Sequence, residues 1–136
     1  MINEISAEII QKAEGLDLFK SVESAIVAKS LKTPPSVAVI LAYDKEVTDG
    51  QKDTRELGWD LVMMIPALGI GKGGKRTGDC IDGIRDGFNE WLPWDTGGVM
   101  PAKVPMIKLE GIEKTIQVYT ARVTMKVMPK IIANKG

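Results

Sequence analysis

The chain has 136 residues with eighteen basic and eighteen acidic side chains, so it is neutral overall and lacks the basic excess of a dedicated nucleic-acid binder. It holds no histidine and a single cysteine, Cys80, which excludes serine–histidine–aspartate and cysteine–histidine catalysis and leaves neither an internal disulfide nor a paired-cysteine metal site. Apolar residues make up 44%, enough for one ordinary core, and no run approaches the ~20 apolar residues of a membrane span.

Residues 2–14 read as a helix, with Ile2, Ile5, Ile9 and Ala13 at helical spacing, Asn3 as its cap and Gly15 as its stop. The opening "MINEISAEII" has acids where a secretory leader has basic residues, so a cytoplasmic chain is expected. A short strand or extended link is expected over 17–22 and a short helix over "ESAIVAKSL". The paired prolines of "KTPPS" end that helix. "SVAVILAY" is a strand apolar on both faces, with Val37, Val39, Leu41 and Tyr43 on one and Ala38, Ile40 and Ala42 on the other, which predicts cover on both sides. A polar loop, "DKEVTDGQKDT", leads to "RELGWDLVMMIPA". There Leu57, Trp59, Leu61, Met63 and Ile65 alternate with a face that begins with Glu56 and Asp60, predicting a long-looped hairpin with one face in the core.

A glycine-rich loop, "ALGIGKGGKRTGDC", separates this strand from a helix expected over 77–92. Thr77 is read as its N-cap, Ile81, Ile84, Phe88 and Trp91/Leu92 as its apolar stripe, and Pro93 as its stop. Cys80 on that helix reads as a small buried hydrophobe. Gly83 and Gly87 each weaken the helix by about 1 kcal/mol relative to alanine, so packing must hold it. "VPMIKLEG" is a strand near an edge, because Pro105 lacks a donor. "IEK" turns the chain into "TIQVYTARVTMKVM", whose residues Tyr119, Ala121, Val123, Met125 and Val127 face the core, opposite Thr120, Arg122, Thr124 and Lys126. The expectation is one α+β domain over 1–128, a mixed or antiparallel sheet of four or more strands with two to three helices on one face, then a loose basic tail over 129–136.

The glycine loop raises the question of phosphate binding. A phosphate-cradling loop needs a hydroxyl directly after its lysine to hold a magnesium ion. Here Gly69, Gly74 and Lys75 fit, but Arg76 follows and Thr77 comes one residue late. One step along a helix turns a side chain by about 100°, so Thr77 does not substitute. The alternatives are a solvated loop and a cationic arm that orders against an acidic neighbour. The acids Asp79, Asp82 and Asp86 share one helix face and read as a solvated stripe. No catalytic set, cofactor site or metal site is expected.

Two loops carry opposite charge. Asp44, Glu46, Asp49 and Asp53 make one acidic, while Lys72, Lys75 and Arg76 make the other basic, which suits head-to-tail packing of copies into a ring. Trp94, beside Pro93, reads either as a plug for its own core or as an interface anchor.

The order of elements, the proline before "VAVIL", the long-looped hairpin, the helix ending "IRDGFNEWLPW" and the closing hairpin "KLEGIEKTIQVYTARVTM" resemble the tail terminator, or tail completion, proteins of tailed bacteriophages. The likeness implies a structural virion protein and no enzyme, assembled in the host cytoplasm as a ring of six copies at the head-proximal end of the tail tube. It further implies contacts with copies of itself, the tail tube protein and a head–tail connector or neck protein, and it allows one with a tail sheath. DNA would pass without specific binding, with Glu56, Asp60, Arg122 and Lys126 facing the channel. The alternatives are another neck or connector protein, or a small nucleotide-binding enzyme using residues 69–77.

Overall fold

A computed structural model describes residues 1–24, 34–47, 54–66, 74–95, 97–129 and 132, with the backbone alone for 74–76. Its elements are α1 (Ile2–Gly15), β1 (Ser21–Ser24), β2 (Ser36–Glu46), β3 (Arg55–Pro66), α2 (Gly74–Phe88), β4 (Lys103–Glu113) and β5 (Ile116–Val127). The fold is α+β, as the element pattern predicts. Five strands form one mixed sheet in the order β1-β2-β3-β5-β4, and only the β1–β2 pair is parallel.

The core follows from the period-two pattern of β3. Leu57, Trp59, Leu61, Met63 and Ile65 are all fully buried. Ala121, Val123, Met125 and Val127 lie beside them on β5, and Ile5, Ile9 and Ala13 of α1 with Cys80, Ile84 and Phe88 of α2 close over them in a single cluster. Burying each large side chain contributes roughly 1.5–3 kcal/mol. The Trp59 indole donates to Ser6 Oγ at 3.0 Å, so its polar atom is satisfied inside the core. Both helices therefore occupy one face, and among the described residues no helix covers the other, here called the open face.

Several expectations are corrected. Asn3 lies inside α1, whose N-cap is Met1 without a side-chain bond, and Gly15 is the last helical residue. Glu23 and Ser24 belong to β1, so the helix expected from residue 23 does not begin there, and its remainder lies outside the described residues. Among the described residues the apolar side chains of β2 are buried on the helix side alone, and there only at its start. Val37 and Val39 are buried, Ala38 and Ile40 are half-buried, and Leu41 is 42% exposed. A bulge between Leu41 and Tyr43 shifts the register, so Leu41 pairs with Trp59 but Tyr43 pairs with Gly58 and turns to the open face. The polar loop after Tyr43 starts later than expected, since β2 runs on to Glu46.

α2 starts three residues before its expected cap and ends at Phe88. Thr77 sits within it and donates to Gln117 Oε1 at 3.0 Å. Trp91 lies beyond the helix, edge-on to Phe88 with ring centroids 5.3 Å apart, and Leu92 is exposed. Pro105 does stand in an edge strand, at a register break of β4. Of the expected loose tail, Ile132 packs against the core and the other described residue, Pro129, is half-buried.

The two weak points of α2 are close contacts. A Cβ on Gly83 would lie 2.1 Å from Leu18 Cδ1, and one on Gly87 would lie 2.9 Å from Leu16 Cδ2; Gly78 has open space instead. Packing against the α1–β1 link thus offsets the poor helix propensity. Gly78→Ala should raise stability by about 0.5–1 kcal/mol, whereas Gly83→Ala should show no such gain, because Leu18 is displaced. Urea denaturation of the two variants checks this, and equal gains would contradict the contact.

Candidate functional site

The open face of the sheet gathers the chemistry-bearing side chains. The β2 bulge delivers Tyr43 to it, and Gly58 makes room, since a Cβ there would sit 2.2 Å from Tyr43 Cε1. The Tyr43 hydroxyl donates to Glu56 Oε2 at 2.6 Å. Lys45 Nζ and the Arg122 guanidinium lie 5.3 Å and 5.4 Å from the ring centroid, within cation–π range. Lys45 also pairs with Glu56 at 3.6 Å, and Arg122 Nε donates to Asp60 Oδ1 at 2.5 Å.

Electrostatics follow this geometry. Burial, reinforced by the bond to Glu56, pushes the Tyr43 phenol up to about 12, so it keeps its proton far above neutral pH. The Asp60 carboxylate holds the Arg122 guanidinium even more firmly in its charged form.

Two further pairs extend the pattern. Lys103 bonds Glu90, and Lys108 lies 3.6 Å from Glu110. At the end of the face nearest the β2–β3 turn, a cleft of about 370 Å³ is lined by Glu56, Glu90, Met100, Lys103, Thr124 and Lys126, among others. Its floor is held by the segment after α2. Glu90 N–H donates to Ala102 at 2.7 Å, Ala102 N–H to Trp91 at 2.8 Å, and Met100 N–H to Lys126 at 3.0 Å.

The residues expected to face a channel come together. Register places Glu56 across from Lys126 and Asp60 across from Arg122. Asp44 and Glu46 both pair with Arg55, at 2.7 Å and 3.8 Å, on their own hairpin. Trp94 is half-buried and packed against the core, in keeping with a plug. Asp49, Asp53 and Lys72 lie outside the described residues, while Lys75 and Arg76 fall in the first turn of α2. Strict alternation hid Tyr43 and Lys45, because a bulge leaves no mark in an apolar run. Glu90 and Lys103, separated by thirteen residues, carry no local signal at all.

The loop 69–77 follows a strand that is central but antiparallel to both neighbours. Residues 69–73 of that loop lie outside the described residues. Among the described residues no cluster of three or more acidic or cysteine side chains could hold a metal ion, and no helix is long and apolar enough to cross a membrane.

No family model and no curated protein matches this chain. Nineteen solved chains match it. One of them is 12% identical over 93% of this chain and 95% of its own, with a TM-score of 0.53, a likeness that extends to the fold alone.

The tyrosine gives a direct probe of the cluster. Its ionisation is raised above the ordinary 10.0, so the stability it contributes is complete below pH 10 and lost as pH climbs through about 12. Ultraviolet titration should find a phenol step near 12 that Tyr43→Phe removes. Gly58→Val, which forces the ring away, should bring the step down. A wild-type protein with no phenol step above 10 would contradict the arrangement.

Proposed function

We propose that this chain is a structural protein of a tailed bacteriophage: a tail terminator that forms a ring on the head-proximal end of the tail tube, ends tube polymerisation and meets the head–tail connector. Its work is assembly, with copies of itself, the tube protein and the connector as partners.

One observation carries the reading, the one-sided sheet with an unfinished edge. The helix-bearing face is sealed by the core, and the open face holds matched charges. The edge strand β4 meanwhile leaves Leu109 46% and Ile112 62% exposed. An edge strand with apolar side chains in solvent is a template for another chain. An open face whose cations are mostly paired, by contrast, suits a wall past which a polyanion slides, since tight phosphate contacts would slow its passage. The likeness of the 1–128 element order to tail terminators supports the same conclusion. So does the segment "NEWLPW", which is tied to Ala102 through Glu90 and Trp91 and turns Leu92 outward.

Electron microscopy of phage assembled without this protein tests the proposal. Tubes of uncontrolled length, without heads, are expected, and added protein should restore capped tubes. Tails of normal length joined to heads would rule the proposal out. Normal tubes that fail to join heads would point to a neck or connector protein instead.

A further inference from the structure

Among the described residues, four cations of the open face, Lys45, Lys103, Lys108 and Arg122, are each paired with an acid in a way that stability does not require. Lys45 stands 3.6 Å from Glu56 and Arg122 2.5 Å from Asp60. Two more lysines of the edge strand, Lys103 and Lys108, have their own acids. Lys126 lies directly across from Glu56 in register. Exposed pairs of this kind contribute only about 0–1 kcal/mol each. Lys103, Glu90 and Lys108 are all more than half exposed, where the contribution is least. Uncharged polar side chains would cover the face at little cost. What the pairing does change is the face's response to phosphate.

A lysine or arginine that neutralises a phosphate releases a counterion, with a contribution of about 0.9 to the salt slope of binding. The counterion comes from the DNA, so a cation already held by a carboxylate releases none until its pair is broken and it is free to neutralise a phosphate. We propose that Glu56 and Asp60 are charge masks: they hold Lys45 and Arg122 against the sheet, both beside the Tyr43 ring, so that duplex DNA meets a face that does not grip it. The tyrosine is the spacer of this device. Its hydroxyl orients Glu56 and its ring holds both cations within 5.4 Å, and it depends on Gly58 for its place. The inference rests on the ring reading for its biological setting, but the masking itself is a property of the isolated chain.

The ring arrangement gives masking its weight. Six copies with one bare cation each would make about six phosphate contacts, and binding of that order changes roughly a thousandfold between about 50 mM and 200 mM salt. A passing duplex would be held in place. Masking at Glu56 and Asp60 keeps that sum small.

The experiment is fluorescence anisotropy of a labelled duplex of arbitrary sequence with the full chain. Wild type should show no saturable binding at moderate salt. The double variant Glu56→Gln, Asp60→Asn should bind, and its affinity should fall about tenfold between about 50 mM and 200 mM salt, as two phosphate contacts require. Adding Lys45→Ala and Arg122→Ala should abolish the gain. Asp60→Asn alone, nearly isosteric, should give a smaller gain of the same kind, and it serves if the double variant does not fold by circular dichroism. Folded acid variants that bind no better than wild type would overturn the proposal, as would wild type binding as tightly as the variants. Tube capping is a separate readout. A chain that caps tubes while its acid variants ignore DNA defeats masking alone, and a chain that masks but does not cap defeats the ring reading alone.

Discussion

Strand β3 must keep a two-residue period along all twelve of its residues, and the rest of the molecule depends on it. Its odd positions from Leu57 to Ile65 are fully buried under both helices, while Glu56 and Asp60 stand on the other side. It is the middle strand, paired along most of its length with β2 and along all of it with β5, so a slip of one residue would turn five large side chains to solvent and two acids into the core. That penalty fixes the register of the neighbours and, with them, which side chains share the open face.

The open face then departs from regularity at one place. The bulge after Leu41 reverses the facing of β2, and Gly58 accepts the tyrosine that results. Without the bulge Tyr43 would continue on the side of Leu41, and Lys45 would leave Glu56. A single extra residue thus converts a plain hairpin into a charge-matched surface. Its ion pairs are partly exposed, so their importance lies in the potential they cancel more than in the stability they add.

Much of the fold is legible in the sequence. Period two in "RELGWDLVMMIPA" and "YTARVTMKV" marks β3 and β5, and with them the pairing of Glu56, Asp60, Arg122 and Lys126 on one face. Pro105 marks the edge. Other features have no local signal. Four-residue β1 is held by its parallel partner β2 and by α1, and its composition alone does not distinguish it from a link. Thr77 has the chemistry of a cap, but it is used inside α2 against Gln117, a residue forty positions away. The glycines of α2 read as weaknesses until Leu16 and Leu18 are seen to rest on them. The tyrosine cluster was hidden for the same reason as the bulge that creates it: both are settled by tertiary pairing, which a pattern of apolar residues does not contain.

The proposed function draws on an edge and a face, and the one thiol, Cys80, is buried in the core. Copies would join through the edge, and the face would be left for what passes by. The most direct measurement is an electron cryomicroscopy reconstruction of the head-proximal end of the tail. The account predicts a ring of this chain capping the tube, with Tyr43, Asp60 and Arg122 turned toward the axis. A ring whose open face is directed outward, or a tube end with no density for this chain, would contradict it.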